Sequence, residues 1–446
     1  MGYSKTVIAL TQLAMVPALA TAWGLPLYGQ WLLLATVPTF LVAGDFGFGY
    51  AAGNRLIGEV ARGDNRQARV TFQSAQAVVL CCSTALLALV MLICFLLPDR
   101  LLAVSGGMDG GGARSVLIVL CVYGVVAMQS GLFMAAMRAH GGFALSSSLD
   151  STVQLVEGLA VIGVAISGGT PLEAALAYLI ARALGVVGHI GLALRRASWL
   201  RLGFGEASRT RMSELLRPAL AAMMLPLGQA GYIQGTALAV GAAAGAATVP
   251  IFTSLRTLSR VGLQFSLSVT LPILPEFTAE HARGNQAWLA RVTGALTTFN
   301  ALVGAAAALT LILLGNPLLE WWTRGAIAAP QAMIALTAVS LVAATVWNPL
   351  AYLLLAVNRH ELFTYGFLAG AVAALALTFV LVRHLGVTGA AGAGLLFDLA
   401  MCVCGVILVR RLTGPFPVGL STLRMLLPQR WLRGNPAASA PILGER

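Results

Sequence analysis

Apolar stretches of about 20 residues follow one another along the whole of this chain, and few folds accept such a pattern. A hydrocarbon core roughly 30 Å thick takes about 20 apolar residues to cross as a helix. Reading the apolar runs between polar breaks places about twelve spans, near 6–23, 28–60, 69–97, 114–137, 143–167, 172–194, 218–240, 246–275, 291–314, 329–357, 361–383 and 390–410. The breaks are short and carry turn chemistry, as in "SGGMDGGGAR" and "SGGTP". Charged residues make up 10% of the 446 positions, against about 25% in a soluble domain, so the chain lacks the polar surface to stay in water. The dyad alternation of a membrane β-barrel is absent.

The formal net charge of +12 would suggest nucleic acid in a soluble protein. Here its distribution points to topology instead. With the N-terminus in the cytoplasm, the even-numbered loops hold Arg62, Arg66, Arg138, the run from Arg195 to Arg217, Arg283, Arg359 and the tail from Arg410. The opposite side holds Arg100, Arg114, Arg324 and Arg383. That bias obeys the positive-inside rule and predicts both termini in the cytoplasm, with no nucleic-acid partner. The start, Lys5 and an apolar run to "ALATAW", faintly resembles a signal peptide, but the spans that follow at once favour a retained first helix. The tail segment "LSTLRMLLPQRWLRG" reads either as a short basic amphipathic piece on the inner surface or as a disordered end. Cys402 and Cys404 form a Cys-x-Cys with no further Cys or His nearby, so no metal site is expected.

An internal repeat organises the spans. "EVARGDNRQARVT" follows the second and "EHARGNQAWLARVT" the eighth, so Ala-Arg-Gly recurs at Ala61 and Ala282, and Arg-Val-Thr at Arg69 and Arg291. Arg138 and Arg359 share the offset of about 220 residues. The expected fold class is therefore an all-α membrane protein of about 12 transmembrane helices, in two pseudo-symmetric six-helix bundles around a central cavity. Its parts are an N-terminal bundle over 1–194, a basic cytoplasmic linker over 195–217, a C-terminal bundle over 218–410 and a basic tail over 411–446.

Ionisable residues at membrane depth are costly and face a bundle interior or a wet cavity. These are Asp45, Glu157, Arg182, Arg256, Arg260 and Asp398. In the eighth span Thr253, Arg256, Thr257, Arg260, Gln264 and Ser268 recur at spacings of three and four, with Leu258, Val261, Phe265 and Val269 expected elsewhere on the helix. Guanidinium is always charged and its planar fork suits phosphate oxygens. Two readings stand: an anion site for a phosphate-bearing substrate built from Arg256, Arg260, Arg182 and Gln264, or arginines paired with acids to hold the halves together. Asp45, Glu157 and Asp398 are correspondingly either ion-pair partners or sites for a coupling cation. Gly44, Gly47, Gly49 and Gly53 make the helix of Asp45 thin, for close packing or flexing. Arg55 and Glu59 read as an intrahelical pair, and His189 as a hydrogen-bonded interface residue or a proton relay.

Three stretches carry a family resemblance. "YGQWLLL…GDFGFG…ARGDNRQAR" between Tyr28 and Arg69 resembles the start of the polysaccharide (O-antigen) flippases. "VPIFTSLRTLSRVGLQ" with "LPEF" is similar to their eighth-helix region, and "HLGVTGAAGAG" to the start of their last helix. They belong to the multidrug/oligosaccharidyl-lipid/polysaccharide exporter superfamily. The resemblance implies translocation of an undecaprenyl-pyrophosphate-linked oligosaccharide across the bacterial inner membrane by alternating access. It carries Arg256, Arg260 and Asp45 over as site residues. It departs in the seventh span, where many family members have an acid and this chain reads "GQAGYIQGTALAVG" with Gln229 and Gln234.

The expected protein is thus a flippase for surface polysaccharide, not an enzyme, with no cofactor. Its expected partners are the bilayer, the lipid-linked oligosaccharide, H+ or Na+, and polymerase and chain-length proteins. A cation-coupled multidrug exporter of the same superfamily is the nearest alternative. Next come a lipid-II flippase, whose branch has helices beyond twelve, and a membrane-embedded glycosyltransferase or ligase, which would carry large periplasmic loops. No phosphate loop for ATP is present.

Overall fold

Lipid offers backbone N–H and C=O groups no water to bond, so each apolar run satisfies them internally as a helix. The computed structural model describes residues 2–43, 45–104 and 106–426; at 2–10, 43, 45, 46, 48, 101, 217, 221, 222 and 224–226 it describes the backbone alone. The helices are α1 (Gly2–Leu34), α2 (Thr36–Ala43), α3 (Asp45–Ala61), α4 (Asn65–Leu96), α5 (Asp99–Leu102), α6 (Gly110–Ala139), α7 (Phe143–Ile166) and α8 (Pro171–Arg196). They continue as α9 (Arg209–Ala244), α10 (Thr248–Thr270), α11 (Leu274–Ala282), α12 (Gln286–Thr323), α13 (Gln331–Ala356), α14 (Glu361–Leu385) and α15 (Thr388–Thr413). No strand forms among the described residues.

The first two expected spans meet inside α1. Gly24 sits at φ 71°, ψ 167°, a conformation that a side chain would strain, and the chain turns there. The second span then runs through the rest of α1, α2 and α3. Nine helical stretches of the described residues are long and apolar enough to cross a membrane. The seventh and eighth expected spans, outside those nine, are carried by α9 and α10, and the second half of the second by α3; these are the least apolar of the long helices.

The sequence repeat reappears as two turns with one hydrogen-bond pattern. After α3, the Gly63 N–H donates to Val60 O and that of Asp64 to Glu59 O, both at 3.0 Å. After α11, Gly284 donates to His281 O at 3.0 Å and Asn285 to Glu280 O at 2.9 Å. Gly63 and Gly284 take φ 75° and 73°. Asp64 then caps α4 by accepting from Gln67 N at 3.0 Å, as Asn285 caps α12 through Trp288 N at 3.2 Å. A glycine in the left-handed region followed by a short acceptor side chain is what ends one helix and starts the next. The third match aligns differently. By their turn bonds Gly141 and Asn358 hold equivalent positions, both at positive φ, so Arg359 is equivalent to Gly142 and the equivalent of Arg138 is Leu355.

Two compact units divide the chain. The first runs to Thr253 and includes Leu318–Ala328; the second is Ser254–Pro317 with the described residues from Ala329. In the first unit α6 is central, packing on α2, α3, α4 and α8, and α9 packs on α3. The glycines of α3 serve close packing: a Cβ on Gly47 would lie 2.3 Å from Ala219 O, and one on Gly53 3.2 Å from the Ala135 Cβ.

The basic connection between α8 and α9 is fastened to this unit. Trp199 is buried edge-on to Phe72, and Arg69 pairs with Glu206 at 2.9 Å. The Gln73 side chain donates to Arg201 O at 3.2 Å and accepts from Glu206 N at 2.7 Å. Within the second unit α15 packs on α13 and α14. The tail begins against α12, where the Gly419 N–H donates to the Thr298 hydroxyl at 3.0 Å. Residues 427–446, most of the expected basic tail, lie outside the described residues.

The "YGQW" stretch is a packing device. Tyr28 and Trp31 are buried, and Gln30 ties down the loop before α6. Its amide donates to Leu102 O at 2.6 Å, and its carbonyl accepts from Met108 N at 2.6 Å. A Cβ on Gly29 would lie 1.9 Å from Ala246 O, a backbone atom that cannot swing aside. Gly29→Ala is therefore expected to destabilise the detergent-solubilised protein by about 1–3 kcal/mol through overpacking. Gly191→Ala, where nothing lies within 4 Å, is the neutral control. Equal melting temperatures for the two variants would refute the close approach.

Candidate functional site

Helix α10 brings the two predicted arginines into the second unit. Its buried face carries Ser254, Leu255, Ser266 and Thr270, and Gly262 seats it: a Cβ there would lie 2.7 Å from the Ala307 Cβ. The opposite face holds half-buried Arg256 and exposed Arg260, Gln264 and Ser268. No carboxylate among the described residues lies within salt-bridge distance of Arg260. The exposed arc is wider than the stripe expected from spacing. Val261 and Phe265 share it, because a step of one residue turns a helix by 100° and leaves them at the stripe's edge.

Arg182 lies elsewhere, in a polar cluster of the first unit. Thr170 and Glu173 form a capping box that starts α8, and three turns on the helix turns Arg182 toward α7. Its Nη2 donates to Glu157 Oε2 at 2.8 Å, and its Nη1 to Asp150 Oδ1 at 3.2 Å. The guanidinium also lies 5.7 Å from the Tyr123 ring centroid, and Tyr123 stacks on Tyr178 at 4.2 Å. Arg182 and Glu157 are buried, and the cluster lines a cavity of about 300 Å³ that Thr11, Gln12 and Gln154 also reach. With two carboxylates to one guanidinium, it carries an excess negative charge when both acids are ionised. Its arginine is engaged by acids of the first unit, whereas Arg260 belongs to the second. Spacing held a signal for the rest: Asp150, Gln154 and Glu157 fall at i, i+4 and i+7 on α7.

Glu157 therefore has a cationic partner, whereas Asp398 has none among the described residues. Asp398 Oδ2 accepts from the Ser340 hydroxyl, and Oδ1 accepts from the Trp347 indole N–H at 3.0 Å. The backbone of Asp45 opens α3, and its side chain lies outside the described residues. His189 is buried, with Nδ1 2.9 Å from Gly185 O. The expected Arg55–Glu59 pair is present at 3.6 Å and is part of a larger network. Arg211 of α9 reaches Glu59 at 3.5 Å, Thr71 donates to it at 3.0 Å, and Arg55 also meets Glu214 at 2.7 Å. Among the described residues no group of three His, Cys, Asp or Glu is placed to hold a metal ion.

These helices, in this order, match solved transporters. An inward-facing multidrug resistance MATE family transporter of the MOP superfamily superposes with a TM-score of 0.76 at 14% identity, covering 93% of this chain and 95% of that one. The lipid II flippase MurJ, in an inward closed conformation, gives 0.75 at 12% identity, covering 96% and 92%. The fold is that of the MOP superfamily. A further MOP superfamily transporter, from Pyrococcus furiosus, gives 0.59 at 13% identity over 92% of this chain and 96% of that one; a reversed polarity of its binding pocket is taken to suggest a different function for it. No protein-family profile matches this chain, and no curated protein matches it in sequence.

Proposed function

We propose that this MOP-fold chain is a flippase, carrying an undecaprenyl-pyrophosphate-linked oligosaccharide from the cytoplasmic to the periplasmic leaflet for surface polysaccharide such as O-antigen. One observation carries the reading: α10 presents Arg260, free of any described carboxylate, and Arg256 one turn away on the non-core face of a span. Guanidinium groups facing hydrocarbon are too costly, so this face borders a polar space, and their fork geometry matches pyrophosphate oxygens. The polyprenyl tail stays in lipid, so only the head group needs a protein path. The protein resides in the bacterial inner membrane with both termini in the cytoplasm, and it works by alternating access. A proton or sodium gradient drives it, and polymerase and chain-length proteins receive the product.

A second reading, export of cationic compounds, draws on the acidic excess around Arg182. One experiment separates them. Deleting the gene and following labelled undecaprenyl-linked oligosaccharide should leave intact units on the cytoplasmic side, with surface polysaccharide lost. Unchanged polysaccharide with new sensitivity to cationic compounds would establish the exporter instead. Accumulation of lipid II would make the substrate the cell-wall precursor.

A further inference from the structure

Near the middle of the 26-residue α15, Asp398 is half-buried, and both of its oxygens accept hydrogen bonds from neutral groups two turns apart on α13. Those donors are the Ser340 hydroxyl and the Trp347 indole. Around them stand Phe363 and Phe367 of α14, whose rings lie 5.9 and 6.5 Å from Trp347, and Phe397, 5.4 Å from Phe367. α13 and α14 are the helices packed on α15. Among the described residues the hydrogen-bond partners they bring to Asp398 are this serine and this tryptophan, neither of them charged, and no cation lies within salt-bridge distance of it. Tyr352, Tyr365, Arg383 and His384 stand elsewhere on those helices and do not reach the carboxyl. On α15 itself the nearby titratable side chain is Cys402, whose thiol donates to Ala343 O at 3.1 Å.

We infer that Asp398, Ser340 and Trp347 form a proton-binding site of the second unit. An ionised carboxylate at membrane depth needs a compensating charge, and two neutral hydrogen bonds lower its cost without cancelling it. Asn would brace α13 to α15 with no charge at all, so an acid here points to a group that changes state. The ligand is a proton and not a metal cation, because indole N–H is a donor with no acceptor capacity and its hydrogen occupies the Oδ1 side. A cation would find one carboxylate oxygen and one hydroxyl, far fewer than the six or so oxygens a hard cation takes.

On protonation one O–H bond forms at Asp398 as one breaks in a hydronium ion, which is left as water, and the charge of the carboxyl goes from −1 to 0. The carboxyl then donates to Ser340 Oγ, so the Ser340 hydroxyl reverses from donor to acceptor and turns its own hydrogen elsewhere. With the charge gone, the Trp347 N–H bond to Oδ1 weakens, which loosens the α13 brace two residues before Pro349, where the proline leaves α13 short of a backbone hydrogen bond. The site stands on the second unit alone and is independent of the substrate.

Infrared difference spectroscopy of the full chain in lipid, between alkaline and acidic pH, tests it. The wild type should gain a protonated-carboxyl C=O band on acidification that is lost in Asp398→Asn. Ser340→Ala should keep the band and shift its frequency, which holds the assignment even if the Asn variant folds poorly. Identical difference spectra for wild type and both variants would overturn the site and leave Asp398 a fixed hydrogen-bond anchor. A band that sodium or lithium at constant pH removes would overturn the proton in favour of a metal cation.

Discussion

Arg260→Ala is expected to slow translocation of a lipid-linked oligosaccharide in proteoliposomes roughly 10- to 100-fold. That is the size of losing a hydrogen bond to a charged group, about 1.5–3 kcal/mol. The side chain is exposed and has no carboxylate partner among the described residues, so its removal breaks no ion pair that holds the fold. Melting temperature and the amount of inserted protein should therefore stay at wild-type values. Arg260→Lys should recover part of the rate, because an ammonium keeps the charge and loses the planar fork. The Arg256,Arg260 double Ala variant should lose the activity entirely. Wild-type translocation by that double variant, at normal abundance, would remove the anion site from α10 and with it the main support for a pyrophosphate substrate.

The α10 stripe was legible because one helix carries it, and spacings of three and four suffice to put residues on one face. Other features needed contacts that spacing does not hold. Gln30 acts on Leu102 and Met108, more than 70 positions away, so "YGQW" could be seen as a motif but not as the clamp on the loop before α6. Arg182 finds Glu157 and Asp150 across a helix pair, and one-dimensional periodicity offered it equally to the anion site. The connection over 195–217 read as a basic linker because its arginines dominate the pattern. Its apolar residues Trp199 and Leu200 were the countersignal, and burying them pins it to α4 and α6. The repeat was visible in residue identities and proved to be a repeated turn. There a glycine at positive φ and an Asp or Asn cap constrain the sequence more tightly than the arginines do.

Arg182→Ala should strongly destabilise the first unit. It would leave Glu157, 2% exposed, and Asp150 beside it with no cation in reach, and breaking a buried pair from one side costs about 3–5 kcal/mol. The variant is expected to accumulate poorly in the membrane and to melt well below wild type. Glu157→Gln should be much milder, since Arg182 keeps Asp150 and the new amide carbonyl still accepts from it. The double variant Glu157→Leu, Arg182→Met should recover part of the lost stability, because apolar residues of similar volume often replace a buried ion pair at little cost, and Asp150, the more exposed acid, is then the one carboxylate of the cluster left without its cation. Its activity then decides what the cluster is for. A stable double variant that translocates normally would make Arg182 and its acids a structural brace. A stable double variant without activity would assign the cavity beside Tyr123 and Tyr178 to the transport cycle, since restored stability removes misfolding as the explanation.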